Sequence, residues 1–120
     1  MTILRIVPNL AAADPDGLAA FYGSVFGLAP VMEAGVIVAS AAPGEARVQM
    51  SFARAGGSGT PVPAVSIEED DLEAALTRAR GAGARISYGP VTEPWGVRRF
   101  FLQDPEHNLI NVLSHIEEPT

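Results

Sequence analysis

Few side chains in this chain of 120 residues are equipped for chemistry, and its two histidines both come late, at His107 and His115. There is no cysteine, and all eight basic residues are arginine. A disulfide frame, a thiolate nucleophile, a Cys-ligated zinc or iron–sulfur centre and a lysine Schiff base are therefore excluded. His115, at the end of an alternating apolar segment, has the chemistry of a general base, although nothing beside it in the sequence supplies a partner. His107 follows Asp104-Pro105 and reads as a turn residue. The run Glu68-Glu69-Asp70-Asp71 lacks the alternating ligands and bend of a calcium loop, so it reads as the solvated start of a helix.

What remains is chemistry suited to holding a ligand. Trp95, between Pro94 and Gly96, is expected in a loop, where an indole offers a large flat contact at little conformational cost. Gln49 and Asn111 alternate with apolar Val48, Met50, Ile110 and Val112, which puts each amide on the opposite sheet face from its neighbours. The same period of two sets Ser51 beside Gln49, and Asn9 beside Val7. Arg98 and Arg99 must point to opposite faces, so only one of them can share a face with these amides.

The elements that position these residues come in a repeated order. Residues 2–10 are strand-like. Asp14-Pro15 then offers an N-cap and a first-turn proline, and Leu18, Phe21, Tyr22, Val25 and Phe26 make an apolar stripe that Gly27 ends. This predicts a helix over 15–26. Strands are expected at 30–33, 35–41 and 46–54, separated by Gly35 and Pro43-Gly44. Residues 55–61, AGGSGTP, read as a flexible linker. Beyond it lie a strand at 62–68 and a helix capped by Asp70 or Asp71, with Leu72, Ala75, Leu76 and Ala79 as its stripe and Gly81 and Gly83 as its stop. Strands at 85–91, 97–103 and 108–114 follow. Both halves read β-α-β-β-β: one domain over residues 1–120, made of module 1–54, linker 55–61 and module 62–120. Laying Asp14 on Asp71 and Gln49 on Asn111 leaves a few extra residues in the second half, expected in the loop around Trp95.

Composition bounds the partners. At 48% hydrophobic and 18% charged, the chain has material for a core and too little charge for a disordered one. A formal charge of −6 repels a phosphate backbone or an anionic membrane surface, so no nucleic-acid or membrane partner is expected. No apolar run approaches the roughly 20 residues that span a bilayer, and the start MTILRIVPNL lacks a basic-then-apolar signal pattern. A cytoplasmic location is the expectation.

The helix from Asp14 through Phe21-Tyr22 into Phe26-Gly27-Leu28 is similar to the "D…FY…LG" pattern of the vicinal oxygen chelate superfamily, which holds glyoxalases, bleomycin resistance proteins and extradiol dioxygenases. Pro94-Trp95-Gly96 running into Asp104-Pro105-Glu106-His107-Asn108 resembles its "PWG…F…DPDGN" signature, with His107 where glycine is usual. The resemblance spans nearly the whole chain. It implies an α+β fold in which two βαβββ modules form a cupped mixed sheet with helices on the outer face, a site inside the cup, and a homodimer. Enzymatic members hold a divalent metal there, and the corresponding positions fall on Val7, Gln49, Ala64 and Asn111. Two aliphatic groups and two neutral amides cannot replace the hydration of a divalent ion, so no metal and no other cofactor is expected. The pattern is closest to the metal-free bleomycin-resistance branch. The expectation is sequestration of a small organic molecule, cationic or planar, with ligand contacts from Trp95, Asn9, Gln49, Ser51, Asn111 and, by the resemblance, Arg98. The alternative is a glyoxalase- or dioxygenase-like lyase or isomerase with an atypical metal site.

Overall fold

In the computed structural model the described residues are 2–26, 28–33, 35–41 and 49–116. The expected stop at Gly27 and turn at Pro43-Gly44 lie outside them. The elements are β1 (Ile3–Ala11), α1 (Pro15–Phe26), β2 (Ala29–Glu33), β3 (Ile37–Ala41), β4 (Gln49–Ala53), β5 (Val65–Glu69), α2 (Leu72–Gly81), β6 (Arg85–Glu93), β7 (Val97–Gln103) and β8 (Leu109–His115). The order βαβββ occurs twice, in a mixed α+β fold of eight strands and two helices. None of the described helices is long and apolar enough to cross a membrane.

The chain divides into two compact units, and the boundary falls inside β1: the strand's start, through Ile6, goes with Pro63 onward, while Val7–Val62 form the other unit. In the unit Val7–Val62, β1 pairs in parallel with β4, β4 antiparallel with β3, and β3 antiparallel with β2. In the other, β5 pairs in parallel with β8, and β8-β7-β6 continue antiparallel. Parallel neighbours need a crossover, and in each unit the helix belongs to it.

The caps are local chemistry. Asp14 accepts from the Gly17 amide at 3.1 Å. Asp71 is the N-cap of α2, accepting from the Ala74 amide at 3.1 Å; Asp70 instead accepts from the Thr2 amide at 3.0 Å, tying the start of β1 beside the end of β5. That amide is the first cause holding the Asp70 carboxyl below its ordinary value. At the other end of α2, Gly83 takes φ +80°, a left-handed turn that glycine adopts without steric cost.

Each helix covers one sheet face. Leu72, Ala75 and Leu76 of α2 pack on Phe100 and Val112 in a dense core. On α1 the buried face differs from the expected stripe: Pro15 and Ala19 are buried, Leu18 and Tyr22 are partly so, and Phe21, Val25 and Phe26 stay 58%, 55% and 65% exposed. Small Ala19 lets the helix approach Val38 and Phe52 closely, which turns the bulky flank outward. Tyr22 stacks on Phe52 with ring centres 4.9 Å apart, and Phe21 and Phe26 gather around Tyr22 at 5.7 and 5.6 Å.

Two expectations about connections are corrected. Residues 55–61 close on themselves: the Gly56 amide donates to the Thr60 carbonyl, the Thr60 amide and hydroxyl donate to the Gly57 carbonyl, and Gly56 is buried where a Cβ would meet the Pro61 carbonyl oxygen at 2.1 Å. This is an ordered turn where a flexible linker was expected. The extra residues of the second half lie in β6, nine residues against five in β2, and not around Trp95. The register of β6 on β7 shifts twice to absorb them, around Gly89, whose φ of +75° and 2.6 Å approach of the Arg99 carbonyl oxygen to an added Cβ leave room only for glycine.

Between β7 and β8, Asp104 organises the turn by accepting from the Asn108 side chain and the Asn108 and Glu106 amides, each at 2.9 Å. His107 sits there at φ +66°, the conformation in which the resembling signature has glycine. The Asn108 side chain, then its amide, holds the Asp104 carboxyl below its ordinary value. The unfolded carboxyl titrates near about 3.9 and the folded one below that. This contribution to stability is therefore complete above the unfolded value and is lost as pH falls through the folded one. Urea midpoints measured from pH 6 downward should fall in that acid range, and Asn108→Ala should make the fall shallower.

Candidate functional site

The face of β5-β8-β7-β6 opposite α2 follows from period two. Phe100 and Val112 meet the helix, so Arg99, Phe101, Asn111 and Leu113 point the other way. The registers arrange this face in rows, and most of its residues are buried. Ser66, Asn111, Phe101 and Tyr88 lie abreast; the next row is Glu68, Leu113, Arg99 and Val91; the last is His115, Val97 and Glu93. Successive rows are about 6.7 Å apart.

Each row carries a polar device. In the first, the Asn111 amide donates to the Ser66 hydroxyl at 3.1 Å while its Oδ1 is buried with no protein partner. Exchanging the amide's O and N only changes which atom is left over. Arg99 of the middle row and Glu93 of the last form an ion pair at 2.6 Å with side chains 4% and 3% exposed. The Tyr88 hydroxyl donates to the same Glu93 oxygen at 3.1 Å. The guanidinium centre lies 5.3, 5.0 and 4.8 Å from the rings of Tyr88, Trp95 and Phe101, inside a cage of three aromatics. Glu68 of the middle row divides its carboxylate: one oxygen takes the Arg5 guanidinium, the other lies 2.7 Å from Nδ1 of His115 in the last row.

Trp95 belongs to this face. It sits in the three-residue link between β6 and β7, with its ring against Arg99 and the residue 44% exposed. Asn111 shares the face. Arg98 does not: its Nε donates to Glu73 of α2 at 2.8 Å, on the helix side. The expectation took the wrong member of the pair because parity separates Arg98 from Arg99 without saying which face the helix covers. Sequence reasoning also missed Glu93, Tyr88 and Glu68, whose partners depend on strand register.

Asn9, Gln49 and Ser51 gather in the other unit. Leu10, Val38, Met50 and Phe52 face α1, so these three residues lie on the opposite face with Val7 and Ala39. Asn9 pairs with Ser51 across the parallel strands as Ser66 pairs with Asn111 in the second unit. The repeat thus keeps a Ser–Asn pair with its members exchanged, and it matches Asn111 to Ser51, not to Gln49.

The glyoxalase/bleomycin resistance protein/dioxygenase superfamily model matches residues 2–112. The chain belongs to this superfamily. Among solved structures, it is similar to methylmalonyl-CoA epimerase from Mycobacterium tuberculosis, with 22% identity, TM-score 0.71, and coverage of 92% of this chain and 87% of that one. A superfamily member from Vibrio splendidus 12B01 is 20% identical with TM-score 0.63, covering 94% and 99%. A chain described as NAD-dependent benzaldehyde dehydrogenase from Legionella pneumophila is 9% identical with TM-score 0.73, covering 92% and 99%. At these identities the likeness is one of fold. No curated protein matches.

The positions that correspond to the superfamily's metal ligands do not fit a divalent ion. Val7 is a buried aliphatic side chain and Ala64 carries no donor atom. Asn111 offers one neutral oxygen, and Gln49 or its neighbour Ser51 another, where such an ion requires anionic or imidazole donors. Among the described residues no group of three or more His, Asp or Glu side chains is placed to hold a metal.

Proposed function

We propose that this superfamily member binds a small, flat organic molecule at the exposed, Trp95 end of this sheet face without a metal ion, and sequesters it without transforming it. The observation that carries the proposal is the donor set: Val7, Gln49, Ala64 and Asn111 stand where metal-binding relatives need strong donors. Trp95 supports it as the one large exposed ring on that face among the described residues. Arg99 lies over the indole at 5.0 Å, so the electron-rich π system already serves a cation. A second cation on the ring would be opposed by the first, which favours a planar uncharged ligand over a cationic one.

The single tryptophan makes its own fluorescence the assay. Flat aromatic compounds should quench it saturably, with equal affinity before and after chelation of divalent ions. Trp95→Ala, followed by calorimetry, should weaken binding by about 10- to 100-fold, the value of one well-placed ring. Loss of binding on chelation, restored by a stoichiometric metal, overturns the proposal.

The functional unit is proposed to be a homodimer. The exposed Phe21, Val25 and Phe26 of α1 form a contiguous apolar flank at i, i+4 and i+5, which a second copy can cover. Light scattering should give twice the chain mass, and Phe21→Ser with Phe26→Ser should return it to the monomer value. A wild-type monomer at micromolar concentration refutes this.

A further inference from the structure

We infer that His115 and Glu68 make the exposed end of this face a proton-accepting site, and that the flat ligand bound there carries an acidic hydroxyl, that of an electron-poor phenol or a conjugated enol. The inference rests on the metal-free binding reading above and specifies its ligand.

The imidazole is oriented. Glu68, its side chain only 12% exposed, meets Nδ1 of His115 at 2.7 Å with one oxygen and the Arg5 guanidinium with the other. A carboxylate at Nδ1 favours the tautomer with its proton there, which places the basic lone pair on Nε2. The His115 side chain is 53% exposed, so that nitrogen is within reach of a ligand. The two other titratable side chains that pair across this face, Glu93 and Arg99, are engaged with each other and with Tyr88.

The imidazole is also held near the indole. The Ile116 amide donates to the Gly96 carbonyl at 2.9 Å, and Val97 is the strand partner of His115. The link carrying Trp95 therefore runs beside the histidine. The Trp95 ring lies against Arg99, and Leu113 separates Arg99 from Glu68 within their row. A ring laid on the exposed indole therefore sits at the strand end that carries the imidazole.

The chemistry selects the hydroxyl. An imidazole accepts a proton from an acid not far weaker than its own conjugate acid, which the O–H of an electron-poor phenol or of a conjugated enol satisfies. A C–H beside a simple carbonyl requires an electrophile for the charge left on oxygen, and this face offers neutral amides. In the step proposed, the ligand O–H bond breaks, an N–H bond forms at Nε2, and the electron pair stays on the ligand oxygen. The imidazolium then lies between that oxyanion and the Glu68 carboxylate, whose other oxygen pairs with Arg5. Glu68 is a positioning residue. No atom beyond the transferred proton moves, and no co-reactant is needed.

The test uses 4-nitrophenol, whose anion absorbs visible light and whose neutral form does not, beside nitrobenzene, the same ring without the hydroxyl. Both are titrated into the full chain at about pH 7, where an ordinary imidazole is largely neutral and part of the free 4-nitrophenol is still undissociated. Wild-type protein should increase the phenolate band on binding. His115→Gln should bind nitrobenzene unchanged but take 4-nitrophenol about tenfold more weakly and as the neutral phenol. Glu68→Gln, which keeps the contact and removes its charge, should lower the bound phenolate fraction. No gain in phenolate on binding to wild type, or an equal gain with His115→Gln, overturns the inference. Nitrobenzene binding without 4-nitrophenol binding overturns it alone. Failure of both compounds to bind overturns the metal-free reading as well.

Discussion

Glu93→Ala should be among the most destabilising single substitutions in the chain, costing about 3–5 kcal/mol. The cost comes mainly from what is left behind. Arg99, with a side chain 4% exposed, is left as a buried guanidinium without the carboxylate at 2.6 Å that offsets its lost hydration. Tyr88 loses the acceptor of its hydroxyl at the same time. The three surrounding rings attract a guanidinium through their π faces, but such contacts contribute about 0.5–2 kcal/mol each and do not replace an anion. For a domain whose whole stability is about 5–15 kcal/mol, calorimetry should show Tm lowered by roughly 10–20 °C. The double variant Glu93→Leu with Arg99→Met should recover most of the loss, because it removes both charges and keeps apolar volume. Equal destabilisation of the double and single variants would falsify this account. By contrast, Arg98→Met should change stability by less than about 1 kcal/mol, since its pair with Glu73 is solvent-exposed.

Neighbouring arginines with such different roles show what a sequence can and cannot disclose. Features that depend on residues close along the chain were legible: the Asp14 and Asp71 caps, the glycine that ends α2, and the order βαβββ in each half. They need only hydrogen bonds across three or four residues and a hydrophobic period. The superfamily signature was legible too, because it sits in two contiguous stretches. Features that depend on register were not. Period two separates Arg98 from Arg99, but which one shares a face with Asn111 is decided by where α2 lands. Glu68 and His115 are 47 residues apart and meet only because β5 and β8 run parallel with Ser66 opposite Asn111. The same gap explains the misplaced insertion. A loop beside Trp95 was the natural place for extra residues, yet β6 absorbs them by shifting register twice, with Gly89 at the kink. On α1, a list of large apolar residues could not show that small Ala19 would set the closest approach to the sheet.

The cores of the two units should answer differently to one substitution. Phe100 and Phe52 are both fully buried, and each is the central aromatic under its helix. Phe100→Ala should cost about 4–5 kcal/mol, the upper part of the range for such truncations. Its neighbours Leu72, Ala75, Leu76 and Val112 are themselves buried, so they are held on several sides and cannot relax into the cavity. Phe52→Ala should cost nearer about 3 kcal/mol. Several of its neighbours, Leu18, Tyr22 and Met50 among them, are only partly buried, and the Tyr22 ring, 4.9 Å away, can tilt into the space. Urea unfolding of both variants at matched protein concentration measures the difference. If the chain unfolds in one transition, the two variants should shift its midpoint by unequal amounts with the slope unchanged. If the units unfold separately, Phe52→Ala should split off an early transition that Phe100→Ala does not. Either pattern supports the unequal cores, whereas equal shifts for the two variants would show that Tyr22 and its neighbours are held as firmly as the residues under α2.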